Sequence, residues 1–322
     1  MGSDSKIFVA GHKGLVGSAI VRHLEAEGFT NIVTVDRSQC DLTNENAVKM
    51  FFMMEQPEYV FLAAAKVGGI GGNSDYPADF IYENLMIQSN VINSAAIVGV
   101  EKLLFLGSSC IYPKFAKQPI TEDQLLTGAL EGSNDAYAIA KIAGIKMCQA
   151  YRKQHGLNAI AVMPTNLYGP NDNYDIQSSH VMASLIKKFH EAKINNSKEV
   201  ICWGTGKPLR EFLYVDDLAE ACFYVLGKWF PGQENSPKDT NGNILNWLNV
   251  GSDFEISIKE LAEKIATIVG FNGEILWDDS KPDGTPRKKL DNSHINKIGW
   301  FARTDLNQGI KKTLECINKG KI

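Results

Sequence analysis

The chain has 322 residues, which at ~100–200 residues per domain means one large or two medium units. A formal net charge of -4 and the lack of a basic stripe with interleaved aromatics argue against a nucleic-acid binder. No apolar run approaches the ~20 residues of a membrane span. The six cysteines form no C-x-x-C pair, so neither a metal site nor a disulfide framework is expected, and the setting is a reducing, cytoplasmic one.

The opening MGSDSK lacks the apolar stretch of a signal peptide, and Lys6 stands where an acylation signal wants Ser or Thr. It reads as a flexible leader. KIFVAG is a short apolar strand that runs into GHKGLVG, and SAIVRHLEAEG then has helical periodicity closed by Gly28. NIVTVD is a second strand, and TNENAVKMFFMMEQ is a helix capped by Thr43 or Asn44. YVFLAAA is a third strand. A long helix at about 79–98 precedes the strand KLLFLG, another helix spans about 135–155, and AIAVMP is the next strand. Strands that alternate with helices and are apolar on both faces predict an α/β fold of Rossmann type, a doubly wound parallel sheet, over the first 172 residues.

The alternation then breaks down. GPNDNYDIQSS is a polar loop, HVMASLIKKFHEAK an amphipathic helix, EVICWG a strand and REFLYVDDLAEACFYVL a strand leading into a helix. PGQENSPKDTNGN is a surface excursion, NWLNVG a strand, SIKELAEKIATIVG a helix that Gly270 could end, and SKPDGTPRKKLD a charged loop. The expected division is a dinucleotide-binding unit at 1–172, to which the chain returns at about 213–252. A smaller α/β substrate unit takes 173–212 and 253–322.

Three constellations carry chemistry. Gly11, Gly14 and Gly17 follow a strand and open a helix, where glycines let the backbone approach a pyrophosphate and unpaired N–H groups face it. Asp36 and Arg37 end the second strand. The acid could bind a ribose 2′-OH and favour NAD, whereas Arg37 with Lys13 could hold a 2′-phosphate, so NADP(H) is expected over NAD(H). Tyr137 and Lys141 lie four apart on one helix face, and an ammonium near the phenol is expected to lower its pKa from ~10 toward the working range. Ser108, Ser109 and Cys110 leave the strand KLLFLG at its C-terminal end, where a doubly wound sheet builds its ligand crevice. A serine hydroxyl there could bond a substrate carbonyl while Tyr137 moves a proton.

The glycine pattern, the serine and Tyr-x-x-x-Lys resemble the extended short-chain dehydrogenase/reductase superfamily. More closely, GHKGLVGSAI, AAAKVGGI, YPADFI, KLLFLGSSCIYPK, YAIAKIAGIK, MPTNLYGP, REFLYVDD and KPDGTPRK are similar to the GDP-L-fucose synthase family, the GDP-4-keto-6-deoxy-D-mannose 3,5-epimerase-4-reductases. The similarity runs from Lys6 to beyond Trp300, and SSCIYPK with KPDGTPRK points to this family within the superfamily.

The resemblance implies epimerisation at C3 and C5 beside a C4 ketone, then hydride delivery to C4 from NADPH. It implies Cys110 and His180 as the proton-exchanging pair and Ser108, Tyr137 and Lys141 as the reductase set, with Ser108 preferred over Ser109 by its spacing from Tyr112. For the cofactor it implies Gly11, His12, Lys13, Gly14, Leu15, Val16 and Gly17, then Asp36, Arg37, Asp41, Leu42, Ala63, Ala64, Ala65, Leu106 and Gly107. Tyr137, Lys141, Pro164, Thr165, Asn166, Leu167 and His180 complete that set. For the GDP-sugar it implies Ser109, Asn166, Val181, Lys188, Trp203, Arg210, Lys281 and one of Asp278 and Asp279. Lys188 stands where the family often has arginine and so loses bidentate geometry.

The chemistry is coherent. A C4 ketone acidifies both neighbouring C–H bonds, and one well-placed donor to the enolate oxygen contributes ~3–4 kcal/mol. Thiol and imidazole, with ordinary pKa values of ~8.5 and ~6.5, can exchange protons near neutrality. A homodimer through the helices flanking the serine strand is also implied. Two other readings are a nucleotide-sugar epimerase or dehydratase with tightly held NAD, and a catalytically silent NADP-binding sensor that docks a protein partner. The thiol disfavours the former and the intact Ser-Tyr-Lys set the latter.

Overall fold

The computed structural model describes residues 1–175, 179–234, 236–281 and 283–319. Its larger sheet is wholly parallel, in the order β2-β1-β3-β4-β5-β9. The strands are β1 (Ile7–Ala10), β2 (Ile32–Val33), β3 (Tyr59–Leu62), β4 (Lys102–Leu106), β5 (Ala159–Pro164) and β9 (Trp247–Val250). Alternation of side chains sends Phe8, Leu103 and Phe105 into one core and Ile7, Val9, Leu104 and Leu106 into another. That is why these strands read as unbroken apolar runs: each face of the sheet is covered.

The connecting helices are α1 (Leu15–Ala26), α2 (Glu45–Glu55), α3 (Ile70–Asp75), α4 (Pro77–Val98) and α5 (Asp135–His155). Asn44 caps α2 by accepting from the Ala47 amide, which settles the choice between Thr43 and Asn44. α5 spans the expected helix. NIVTVD forms only two residues of strand, paired with β1 on one side alone.

After β5 the chain makes β6 (Asn166–Tyr168), α6 (Val181–Ile194), β7 (Glu199–Trp203), β8 (Leu209–Tyr214) and α7 (Val215–Lys228). Beyond β9 come β10 (Glu255–Ser257), α8 (Ile258–Val269), β11 (Glu274–Asp278), β12 (Arg287–Lys288), α9 (Ser293–Ile298) and α10 (Leu306–Asn318). β8 is the centre of a small sheet: it pairs antiparallel with β10 and parallel with β12 and β6. β7 and β11 pair in parallel beside it. A third core, including Met182, Phe189, Leu261 and Ile265, lies under α6 and α8. α8 starts with a full capping box of Ser257 and Glu260 and ends at Gly270 in the left-handed conformation.

Two details differ from the sequence division. SKPDGTPRKKLD is not all loop, because Arg287 and Lys288 add a strand to β8. Ile295 of α9 and the following Trp300 pack into the core of the large sheet rather than into the third core.

Candidate active site

The strand ends of the large sheet open into one cavity of about 550 Å³. Its floor is the glycine loop. Gly11 has φ +86°, and a Cβ there would press on the Ala64 backbone; a Cβ on Gly17 would collide with the Gly11 carbonyl. The close approach of loop, helix and β3 therefore requires these two glycines. No side chain caps α1, so its first amides face the cavity free, an arrangement suited to an anion. Gly11, Gly14, Leu15, Val16, Gly17, Arg37, Asp41, Leu42, Ala63, Ala64, Ala65, Leu106, Gly107, Pro164, Thr165, Asn166 and Leu167 all line this space. A long cradle of backbone and small side chains fits a dinucleotide.

His12, Lys13 and Asp36 are not among its lining residues. Lys13 instead reaches Asp36 at 2.7 Å, with the His12 ring at 3.4 Å, so the acid is engaged by an ammonium. Arg37 turns into the cavity, held by Asp41 at 3.1 Å and Glu83 at 3.5 Å. A guanidinium facing the cleft with the neighbouring carboxylate neutralised favours a phosphate-bearing ribose.

Ser108, Ser109, Cys110, Tyr137, Lys141, His180 and Val181 line the same cavity. Lys141 is buried and donates to the Leu106 carbonyl at 2.8 Å; burial pushes its pKa down to about 7. The Tyr137 phenol is raised, first by burial and then by the neighbouring Cys110, while a hydrogen bond with Ser108 acts the other way. This corrects the expectation that Lys141 lowers it. Lys141 Nζ is anchored on a backbone carbonyl, 5.8 Å from the Tyr137 ring centre, and the low dielectric that raises the phenol also lowers the lysine. A phenol that keeps its proton is a donor, the form a ketone reduction consumes.

Around Cys110 the structure gathers groups from distant parts of the chain. Lys288 Nζ donates to its Sγ at 3.4 Å and Asn134 Nδ2 at 3.3 Å, while the Cys110 amide donates to Ser108 Oγ at 3.3 Å. Burial pushes the thiol up, but the attraction of Lys288, aided by hydrogen bonds from Ser108, Lys288 and Asn134, leaves its pKa below the ordinary value. His180 is the N-cap of α6, its surface open to the cavity. Its pKa is lowered, first by desolvation and then by repulsion from Lys288. Lys288 and Asn134 were not singled out from the sequence. Lys288 lies in KPDGTPRK and was legible only as part of a motif. Also unforeseen in the wall are Phe212, Met182 and Asp172, whose carboxyl burial pushes up to about 7.

Lys188, Trp203, Arg210, Asp278 and Lys281 do not line the cavity. Lys188, Trp203, Asp278 and Lys281 form a second group toward the β7–β11 edge. Trp203 is 58% exposed, with Lys188 and Lys281 placed 5.4 and 5.6 Å from its ring centre. Lys188 is tied to the Ile201 carbonyl at 3.0 Å, and Asp278, opposite Trp203 in register, accepts from the Ser280 hydroxyl and amide. Asp279 is exposed. An exposed indole flanked by two ammonium groups suits a base with phosphates attached. Arg210, on β8, is close enough to Cys110 and to Asp283 for charge interaction. Among the described residues no cluster of His, Cys, Asp and Glu is placed to hold a metal, and no helix is long and apolar enough to cross a membrane.

Comparisons with known proteins agree with this geometry. Residues 7–238 match the NAD dependent epimerase/dehydratase family. A putative GDP-L-fucose synthase 2 of Arabidopsis thaliana is 58% identical over 97% of this chain and 91% of its own length. The GDP-L-fucose synthase of Escherichia coli K12 is 49% identical over 97% of this chain and 96% of its own. Among solved structures, a GDP-L-fucose synthetase from Naegleria fowleri bound to NADP superposes with a TM-score of 0.87 at 28% identity, covering 99% of this chain and 96% of that one. With the glycine cradle, the Ser-Tyr-Lys set and a thiol in one cavity, the chain belongs to the NAD dependent epimerase/dehydratase family and, within it, to the GDP-L-fucose synthases.

Proposed function

We propose that this chain makes GDP-L-fucose from GDP-4-keto-6-deoxy-D-mannose by 3,5-epimerisation followed by NADPH-dependent reduction at C4. The observation that carries the reading is the convergence of Ser108, Cys110, Tyr137, Lys141 and His180 on one cavity with a dinucleotide cradle.

The glycine loop and the amides that open α1 would hold the cofactor pyrophosphate, and Arg37 the 2′-phosphate. Bound NADPH would supply hydride to C4. Ser108 and Tyr137 would hydrogen-bond the C4 oxygen in both stages. In the first they steady the enolate; in the second Tyr137 gives up its proton as the alcohol forms. Lys141, on the Leu106 carbonyl, fixes the end of β4 beside the phenol and can replenish that proton, since its own pKa of about 7 lets it change charge near neutrality. Cys110 and His180 would take and return protons at C3 and C5. Ser109, Asn166 and Val181 would frame the sugar. Lys188, Trp203, Arg210, Asp278 and Lys281 would hold the GDP portion.

Residues 1–172 and 213–252 would thus serve the dinucleotide, and 173–212 with 253–322 the GDP-sugar. A homodimer is supported by α4 and α5, which lie side by side and expose Tyr82, Ile97 and Ile139; sedimentation at a monomeric mass would overturn it. Six free cysteines suit a reducing, cytoplasmic setting. The decisive assay mixes the protein with GDP-4-keto-6-deoxy-D-mannose and NADPH. Stoichiometric loss of NADPH absorbance with formation of GDP-L-fucose is expected. Turnover without net NADPH consumption would favour an epimerase or dehydratase holding its own NAD.

A further inference from the structure

We propose that Lys288 is a positioning residue for the epimerisation, holding the Cys110 sulfur from β12 as a proton acceptor. The inference deepens the proposed function and rests on it.

The geometry is specific. Lysine ammonium has only donors, so at 3.4 Å the Cys110 sulfur must accept from it, as it accepts from Asn134 Nδ2 at 3.3 Å. A sulfur that accepts from a full positive charge is better suited to being a thiolate than a thiol. Nor is Lys288 a mobile surface lysine. Leu209 and Arg210 of β8 pair with Arg287 and Lys288. Next to Lys288, Lys289 N donates to Gln118 Oε1 at 2.9 Å and Leu290 N to the buried Glu211 at 3.0 Å. Glu211 also accepts from Ser252 N at 2.8 Å and Asp253 N at 2.9 Å, so one buried carboxylate ties β12 to the turn after β9. Arg287 is clamped to Glu255 at 2.8 Å. Position 288 is therefore held from both sides, and its side chain is aimed at the sulfur.

The other charges facing Cys110 do not duplicate this contact. Arg210, from β8, interacts with Cys110 but also with Asp283, which draws on the same charge. Tyr137, from α5, is uncharged at neutral pH. His180, at the start of α6, has its pKa lowered, first by desolvation and then by the repulsion of Lys288. Lys288 thus acts on both members of the proposed pair, favouring the charged form of the sulfur and disfavouring the charged form of the imidazole. In the transfer itself, the Cys110 thiolate takes the proton from carbon, the C–H electron pair passes to the C4 oxygen as enolate, and the sulfur becomes a neutral thiol. A sulfur left to burial alone would hold its proton and could not start that step.

The test compares wild type, Lys288→Met and Lys288→Arg, reading Cys110 alkylation by iodoacetamide against pH through the mass of its peptide. This readout needs neither substrate nor cofactor. In Lys288→Met the alkylation midpoint is expected to rise by ~1 pH unit or more, and Lys288→Arg should stay near wild type. Solvent deuterium uptake at C3 and C5 of GDP-4-keto-6-deoxy-D-mannose, measured without NADPH, should fall ~10-fold at pH 7 in the methionine variant and recover as pH is raised. A methionine variant with an unmoved midpoint, or with a raised midpoint and undiminished uptake, overturns the proposal. A lysine-dependent midpoint in a wild type that takes up no deuterium supports the ion pair and refutes the epimerase function instead.

Discussion

Ser108, Tyr137 and Lys141 come from β4 and the helix that follows it, and their anchor, Leu106 O, belongs to the same strand. Cys110 lies just beyond that strand, yet the groups facing it arrive from elsewhere: Lys288 is 178 residues away in sequence, and His180, on the same cavity wall, starts α6. The corner proposed to reduce is thus a local product of one parallel β-α-β connection. The corner proposed to isomerise exists only where the small sheet is docked on the large one. A sheet of this kind forms a nucleotide crevice at its strand ends by its own topology. The proposed carbon-acid chemistry depends on a cation and an imidazole brought to a sulfur at its rim.

Substitutions can break that contrast. The largest effect is expected from Tyr137→Phe, which removes the proton donor and should lower C4 reduction by ~10²–10⁴-fold with NADPH affinity intact; pre-steady-state oxidation of NADPH measures it. Cys110→Ser should separate the corners. Deuterium uptake at the sugar carbons should fall by ~10²-fold or more, while NADPH titration by fluorescence stays unchanged. Uptake equal to wild type would remove the thiol from the mechanism.

Lys141 sharpens the comparison through stability. Its pKa falls from an ordinary 10.5 to about 7 in the folded chain, so between those values the unfolded chain binds more protons and stability rises with pH. Below pH 7 the folded state must carry a buried ammonium. Lys141→Met should therefore lose reduction yet gain unfolding free energy, with the gain largest at pH 7 and below and shrinking toward pH 10. Urea denaturation at three pH values tests the sign. Trp203→Ala should have the smallest effect, raising KM for the GDP-sugar ~10-fold with kcat nearly kept, as loss of one stacking surface costs ~1–3 kcal/mol. A kcat loss of the same size would place Trp203 nearer the reacting atoms than the β7–β11 edge suggests.

Much of the site was legible in the chain because its parts are local. A glycine that needs φ +86°, a helix opening directly behind it, and a tyrosine and lysine one turn apart are all set within short windows. Family resemblance added Cys110 and His180, which now share a cavity wall. What the windows could not carry was charge. The Tyr137 phenol moved up where spacing said down, since spacing reports that Lys141 is near but not that both groups are dry. Lys288 stayed hidden inside a loop motif, since a two-residue strand has no periodicity of its own and forms only against β8.

By itself, then, the sequence determined the strands, the helices and the phosphate cradle, each set within a short window, and through resemblance it named the side chains proposed to move protons. Only the tertiary structure decided which of those side chains hold a proton. Ionisation depends on burial and on charges within a few ångströms, and here those charges come from strands that meet only after folding.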